Sequence, residues 1–130
     1  MYIPEGFGTV FPYIFASDAA AYLTCLERAF GAEVVGRTEA PDGTVANARV
    51  RIGTTAFMVS EAGDRFKPSR AAFYIYVEDA DQRLREALAC GADDIHAPRS
   101  MDYGDRQGGV TDPSGNIWWI STRVVREPYD

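Results

Sequence analysis

The sequence repeats itself at a spacing of 61 residues, and this repeat constrains the fold more than any other feature. The segment YIFASDA begins at Tyr13, and the similar segment YIYVEDA begins at Tyr74. The same spacing separates FMVS at residues 57–60 from WWIS at residues 118–121. Self-similarity at a fixed period indicates that one supersecondary unit occurs more than once. We therefore interpret the chain as two copies of one module.

Each copy opens with a predicted strand and a predicted helix. An aromatic, β-rich run comes first, and an aspartate that can cap a helix follows it. This aspartate is Asp18 in the first copy and either Asp79 or Asp81 in the second. The predicted helices end at Gly31 and Gly91, because glycine readily adopts the left-handed conformation that terminates a helix.

Three short strands are predicted after the first helix. They are joined by turns at residues 42–43 and 53–54. The second copy shows the same order less clearly, with a predicted long loop at residues 97–109 and a turn at residues 113–116 before its last strand. The pattern therefore predicts the order βαβββ in both copies.

Chain length favours one domain. With 130 residues, of which 46% are hydrophobic, the chain can form one core of ordinary size but is short for two domains. We expect a single domain over residues 1–130, with module one at about 8–61, a linker at about 62–70 and module two at about 71–123. The residues from Arg123 onward are expected to form a short polar tail.

These features resemble the vicinal oxygen chelate superfamily, which includes glyoxalase I, bleomycin-resistance proteins and extradiol dioxygenases. The resemblance rests on the duplicated modules, the DPSGN turn at residues 112–116 with the aromatic strand after it, and the Gly-Ala pair after each helix. PYIF at residues 12–15 and YGDRQGGVTDPSGNIWWIST at residues 103–122 are similar to the PhnB-like branch. The resemblance implies an α+β fold in which two tandem βαβββ modules form a curved mixed sheet around a cleft, with the helices on the outer face. It also implies a homodimer.

Metal-dependent members of that superfamily hold their ion with four ligands, mostly His and Glu, on the first and last strand of each module. The corresponding positions here are Phe11, Ala72, Met58 and Trp119. A phenyl, a methyl and an indole group are not metal ligands, and a thioether is a poor ligand for a hard cation. The only histidine, His96, is expected in a loop after the second helix. We therefore predict no metal site and no cofactor.

The face that would hold the metal is instead predicted to be aromatic. Side chains two apart on a strand share a face, so aromatic rings and a few hydroxyls surround the four ligand positions. Together they are our candidate ligand-binding residues: Phe11, Tyr13, Phe15, Met58, Ser60, Tyr74, Tyr76, Trp119 and Ser121. The alternate residues, among them Trp118, are expected to form the core. The open alternative is that the rings pack against one another or a partner subunit and leave no cavity.

Two further candidates precede the last strand. Arg106 could hold a carboxylate or phosphonate at the mouth of the cleft, and Tyr103 could contact the ligand from the same loop. The alternative for Arg106 is a structural clamp to a strand-end carbonyl, to Asp102 or to Asp112. We also expect Asp112 to accept hydrogen bonds from the backbone of the turn that follows it.

Charge and hydropathy limit the partners. The net charge is −6, and Lys67 is the only lysine, so a nucleic-acid partner is not expected. The sequence has no run of 18 apolar residues, and MYIPEGFGTV at residues 1–10 has no basic start or apolar core, so we expect a cytoplasmic protein that does not bind membranes. Cys25 and Cys90 each fall in a predicted helix and are expected to be reduced thiols.

The sequence favours a metal-free protein that binds a small aromatic or cationic molecule in an aromatic cleft. The alternative is a lyase or isomerase of glyoxalase type that uses polar cleft residues or a non-standard metal site. The catalytic residues of such an enzyme are left unassigned. A third possibility is an interaction module whose cleft is closed by its own side chains.

Overall fold

The part of the chain that the structure describes consists of two units, and each unit has one helix and four strands. The structure is a computed structural model in which residues 1–129 are described, and its two units divide between Ser69 and Arg70. The order of elements is βαβββ in each unit. The predicted α+β class with two tandem βαβββ modules is therefore confirmed.

The first unit is a four-stranded mixed sheet with one helix. Its elements are β1 (Tyr13–Ala16), α1 (Ala19–Phe30), β2 (Glu33–Glu39), β3 (Val45–Ile52) and β4 (Thr55–Glu61). The strand order is β1-β4-β3-β2, in which β1 runs parallel to β4 and the other pairs are antiparallel.

The second unit repeats this topology. Its elements are β5 (Ala72–Tyr76), α2 (Ala80–Ala89), β6 (Asp93–Ser100), β7 (Asp105–Thr111) and β8 (Ile117–Arg123). The strand order is β5-β8-β7-β6, with β5 parallel to β8. The register also repeats, because Tyr13 lies opposite Met58 and Tyr74 lies opposite Trp119.

The helix ends follow the predicted caps. The side chain of Asp18 accepts from the backbone N–H of Ala21 at 3.3 Å, and that of Asp79 accepts from Gln82 at 3.1 Å. Asp79 is therefore the cap of α2, which decides between the two aspartates that the sequence allowed. Gly31 ends α1 with a φ of 68°, a conformation that glycine adopts without steric cost.

Each core lies between a sheet and the helix of the same unit. In the second unit Trp118 is only 4% exposed, and its ring packs against that of Phe73 at a centroid distance of 4.7 Å. The side chain of Leu84 in α2 packs closely on Gly108. A Cβ added to Gly108 would lie 2.3 Å from Cδ1 of Leu84. The alternate residues of the last strand thus face the helix, as the alternation predicted.

Two expectations about local structure are wrong. Strand β6 extends to Ser100 and β7 begins at Asp105, so the predicted long loop is reduced to residues 101–104, and His96 lies in a strand. The segment lacks an apolar alternation because β7 presents polar side chains on one face and Gly108 to α2 on the other. The expectation that Cys25 and Cys90 are reduced thiols is also wrong, because neither is a free cysteine within residues 1–129. Their predicted position in helices was a poor guide, since such a position does not decide the redox state of a sulfur atom.

Among the described residues, neither helix is long and apolar enough to cross a membrane.

Candidate functional site

The second unit carries a polar and aromatic surface on the side of its sheet that α2 does not cover. Because Ile75, Val110 and Trp118 are buried on the helix side, the residues between them on each strand face the other way. We call this surface the tyrosine face. Its residues are Tyr74 and Tyr76 on β5, Asp105, Gln107 and Gly109 on β7, and Trp119 and Ser121 on β8.

The carboxylate of Asp105 is the centre of the tyrosine face. This side chain is 0% exposed. Its Oδ2 atom accepts hydrogen bonds from the hydroxyls of Tyr76 at 3.0 Å, Tyr129 at 2.9 Å and also Tyr74. Its Oδ1 atom accepts from Nη1 of Arg123 at 3.2 Å. A buried carboxylate needs such donors and an opposite charge to offset its desolvation, and here it has both.

The hydroxyl of Tyr74 is held in its protonated form. The pKa of Tyr74 is raised well above its usual value, mainly by burial and to a smaller extent by the hydrogen bond to Asp105. Tyr74 as a whole is 45% exposed, although its hydroxyl is hydrogen-bonded to the buried Asp105. At neutral pH the hydroxyl therefore keeps its hydrogen, which it donates to Asp105, while a ligand can reach the exposed part of the side chain.

A second set of hydrogen bonds continues the tyrosine face along β7 and β8. Gln107 donates from Nε2 to the hydroxyl of Ser121 at 2.9 Å and accepts at Oε1 from the hydroxyl of Tyr103 at 2.7 Å. The structure thus brings Tyr103, from the 101–104 connection, together with Ser121, and both are sequence-predicted candidates. Gln107 joins them, although no sequence signal distinguished it.

Trp119 forms the apolar end of the tyrosine face. Its ring lies directly over Gly109, where an added Cβ would be 2.5 Å from its Cζ3 atom. The imidazole of His96 on β6 stacks on the indole at a centroid distance of 6.0 Å. The sequence placed His96 in a loop, and only the register between β6 and β7 brings it to this ring.

The first unit has a comparable surface on β1, β3 and β4. The hydroxyls of Tyr13 and Ser60 lie 2.6 Å apart. Asn47 donates from Nδ2 to the hydroxyl of Tyr13 at 3.3 Å and lies 3.5 Å from Sδ of Met58. Arg49 in turn donates to Oδ1 of Asn47 at 2.8 Å. The structure therefore gathers three predicted candidates and adds an amide and a guanidinium that sequence reasoning missed.

Phe15 and Phe11 have different surroundings. Phe15 stacks on Phe66 from the segment after β4, with ring centroids 5.0 Å apart. Phe11 does not lie on the first strand as expected, because β1 begins only at Tyr13. Its ring packs instead against Phe7 at 4.7 Å. Pro12 has no backbone N–H to donate to a neighbouring strand, which is consistent with β1 beginning after it.

Arg106 does not share the tyrosine face. It lies between Asp105 and Gln107 on β7, so its side chain points to the opposite side of the sheet. There it donates from Nε and Nη2 to the two carboxylate oxygens of Asp81, in α2, at 2.7 and 2.8 Å. These hydrogen bonds lower the pKa of Asp81. The expected clamp therefore exists, but it is made with Asp81 instead of Asp102 or Asp112.

The turn before β8 sets the direction of the two tryptophans. Asp112 accepts at Oδ1 from the backbone N–H groups of Ser114 and Asn116 at 2.9 and 3.0 Å, which confirms its predicted role. It also accepts at Oδ2 from the indole N–H of Trp118 at 2.8 Å. Because this bond holds Trp118 on the core side, Trp119 must face the other side.

Comparisons with known proteins agree with this architecture. A family model of the Glyoxalase/Bleomycin resistance protein/Dioxygenase superfamily matches residues 7–120. The uncharacterized protein Mb0911c of Mycobacterium bovis is 30% identical over 127 residues, which cover 89% of this chain and 83% of that protein.

Solved structures show the same fold at lower identity. TioX from Micromonospora sp. ML1 is 24% identical with a TM-score of 0.73, over 89% of this chain and 99% of that chain. The PhnB protein from Bacillus cereus is 16% identical with a TM-score of 0.69, over 88% and 99% of the two chains. At these identities the similarity concerns the fold alone.

Proposed function

Because this chain belongs to the glyoxalase/bleomycin resistance protein/dioxygenase superfamily, we propose that it is a metal-free member that binds a small aromatic or cationic molecule. The observation that carries this proposal is that none of the four positions that correspond to the superfamily's metal ligands holds an imidazole or a carboxylate, while tyrosine rings lie beside Met58 and Trp119 on the paired strands. We further propose that it belongs to the PhnB-like branch, on the basis of the motif at residues 103–122.

The side chains at the superfamily's metal positions do not fit a metal ion. These positions hold Phe11, Ala72, Met58 and Trp119, of which only the thioether has any donor atom, and it suits soft ions rather than hard ones. Among the residues that the structure describes, no group of three or more His, Cys, Asp or Glu side chains is arranged to hold a metal ion. This supports a function that needs no ion.

The surface that takes the place of a metal centre suits aromatic ligands. The rings of Tyr13, Tyr74 and Tyr76 are each partly exposed, while their hydroxyls are engaged in hydrogen bonds. Ring faces of this kind stack on planar molecules and attract cations. The net charge of −6 favours neutral or cationic ligands over anions. As part of the proposal, we expect a cytoplasmic homodimer.

The proposal is tested by metal analysis and calorimetric titration of one preparation. We expect divalent metal well below one equivalent per chain and a melting temperature that a chelator leaves unchanged. We expect the planar cation proflavine or the neutral aromatic indole to bind, while the planar anion 2-naphthoate does not. Replacement of Trp119 by alanine should weaken this binding at least about tenfold, which corresponds to about 1.4 kcal/mol.

The matched control is Tyr2→Ala, which removes an aromatic ring that is 94% exposed. It should leave binding of proflavine and indole unchanged. A stoichiometric, tightly held metal ion would overturn the metal-free proposal. Absence of binding by both aromatic probes would overturn the ligand-binding proposal.

A second candidate is a lyase or isomerase of glyoxalase type. The observation that favours it is the position of the Tyr74 hydroxyl on Asp105, since this hydroxyl, once turned away from Asp105, could donate a hydrogen bond to the oxygen of a bound substrate. This candidate predicts that Tyr74→Phe abolishes turnover of a hydroxy-carbonyl substrate while leaving its binding intact. Binding without turnover of any such substrate would favour the first candidate.

A further inference from the structure

The chain after β8 folds back over the tyrosine face. The backbone N–H of Val124 donates to the carbonyl of Gly104 at 3.0 Å. Arg123 donates from Nη2 to the carbonyl of Glu127 at 2.5 Å. The hydroxyl of Tyr129 then reaches Oδ2 of Asp105 at 2.9 Å. We call residues 124–129 the tail segment, and its last described residue is a phenol bound at the centre of the site.

The acceptor that Tyr129 uses is crowded. At least three tyrosine hydroxyls approach Oδ2 of Asp105, whereas one carboxylate oxygen offers about two lone-pair sites. Tyr74 and Tyr76 are held there by the pairing of β5 with β8. Tyr129 lies after β8, outside any strand, and is 55% exposed. Of these donors, Tyr129 is therefore the one that can leave at least cost.

We propose that Tyr129 occupies a binding site for a phenol, and that a phenolic ligand enters by displacing the tail segment. The ligand's hydroxyl takes the place of the Tyr129 hydroxyl on Asp105, and its ring takes the place of the Tyr129 ring beside Arg123. This inference rests on the proposed function, because it assigns a chemical class of ligand to the same surface.

The charges around the site select a neutral aromatic hydroxyl. Asp105 accepts only, so the group that meets it must donate, and a carboxylate ligand would be repelled. The guanidinium carbon of Arg123 lies 4.6 Å from the centroid of the Tyr129 ring, which is cation–π geometry. The same guanidinium would repel an ammonium group placed there. A phenol satisfies both neighbours, since it combines a donor hydroxyl with a ring face.

The space beside Tyr129 admits a ligand larger than a single ring. A cavity of about 350 Å³ lies between the 101–104 connection and the tail segment, with Tyr103, Val125 and Pro128 in its lining. This volume falls within the range of about 300–1,000 Å³ that small-molecule pockets occupy. The apolar lining next to Val125 and Pro128 suits hydrocarbon substituents on the phenol.

Occupation by Tyr129 must weaken the apparent affinity for a ligand. If the tail segment is docked about 90% of the time, the competent site is reduced to about one tenth and the apparent affinity falls about tenfold. Removal of the Tyr129 ring should restore that factor. The tail segment would thus exclude phenols that bind too weakly to displace it.

The test uses p-cresol, which is the side chain of tyrosine as a free molecule, and toluene, which lacks only its hydroxyl. Both are titrated by NMR chemical-shift mapping into the unmodified chain and into Tyr129→Ala. We expect Tyr129→Ala to bind p-cresol about tenfold more tightly than the unmodified chain, with shifts at Asp105 and Arg123. Toluene should bind at least about tenfold more weakly than p-cresol to Tyr129→Ala, because it offers no donor to Asp105.

The matched control is Tyr2→Ala, in which p-cresol should bind as in the unmodified chain. Equal p-cresol affinity in Tyr129→Ala and the unmodified chain would overturn the proposal, as would equal affinity for toluene and p-cresol. In either case binding of proflavine or indole that depends on Trp119 would leave the proposed function standing. Absence of p-cresol, proflavine and indole binding in every variant would overturn both.

Discussion

Replacement of the two adjacent tryptophans separates the core role of Trp118 from the surface role of Trp119. Trp118 is almost completely buried, packs on Phe73 and donates to Asp112. Truncation of a buried tryptophan to alanine costs about 3–5 kcal/mol. The lost N–H leaves a buried carboxylate oxygen with one donor fewer, which adds about 1 kcal/mol or more. Trp118→Ala should therefore remove much of a total stability that is about 5–15 kcal/mol for a domain.

Trp119→Ala should be tolerated better. Its ring is partly exposed and lies on the backbone of Gly109 and the edge of β6. Loss of a partly buried ring costs about 2 kcal/mol by transfer of its apolar area to water. We therefore expect Trp118→Ala to be less stable than Trp119→Ala by about 2 kcal/mol or more. The intermediate variant Trp118→Phe keeps a ring but loses the N–H and part of the ring volume, so its loss of stability should lie between zero and that of Trp118→Ala.

The assay is urea unfolding followed by far-ultraviolet circular dichroism. Tryptophan fluorescence is unsuitable because each variant removes one of the two tryptophans in the chain. Midpoints are compared only where the slope of the transition is unchanged. If Trp119→Ala is destabilised as much as Trp118→Ala or more, the assignment of the two faces of β8 is refuted.

The remaining predictions concern the glycine pair and the buried hydroxyl. Gly108→Ala places a Cβ 2.3 Å from Cδ1 of Leu84, so thermal unfolding should show that the free energy of unfolding falls by about 1–3 kcal/mol. Gly109→Ala should displace the ring of Trp119 and change its fluorescence, with a smaller fall in the free energy of unfolding. Equal falls for the two variants would contradict this packing. Because the pKa of Tyr74 is raised in the folded state, the protonated hydroxyl stabilises the fold. This contribution is complete below the unfolded pKa of about 10 and is lost as pH rises through the folded pKa. Spectrophotometric titration should show a late-ionising phenol that Tyr74→Phe removes, and an alkaline titration left unchanged by this substitution would disprove the shift.

Much of the local architecture could be predicted because it depends on neighbours in the sequence. The helix caps at Asp18 and Asp79 and the turn that begins at Asp112 are set by side chains that bond to backbone a few residues away. The opposite directions of Trp118 and Trp119 follow from the alternation of a strand. The error at residues 97–109 has the same origin, since β7 is polar on one face and lacks the alternation that identifies a strand.

The candidate site could be predicted only in part. Tyr74, Tyr76 and Ser121 were expected on one face and lie there, while their role in ligand binding stays a prediction. The acceptor that the two tyrosines share, Asp105, was not among the candidates, because an aspartate in a glycine-rich segment is most often exposed. The contribution of Tyr129 was missed because a polar segment after the last strand carries no signal that it returns to a sheet.

The sequence alone determined the repeat, the order βαβββ and the faces of the last strands, because periodicity and capping act over a few residues. Tertiary structure decided which polar groups meet. It paired Arg106 on β7 with Asp81 in α2. It also brought Tyr74 and Tyr129 to Asp105, from which they are 31 and 24 positions away in the sequence. Such contacts depend on strand register and on the path of the tail segment, and the pattern of nearby residues does not encode either of them.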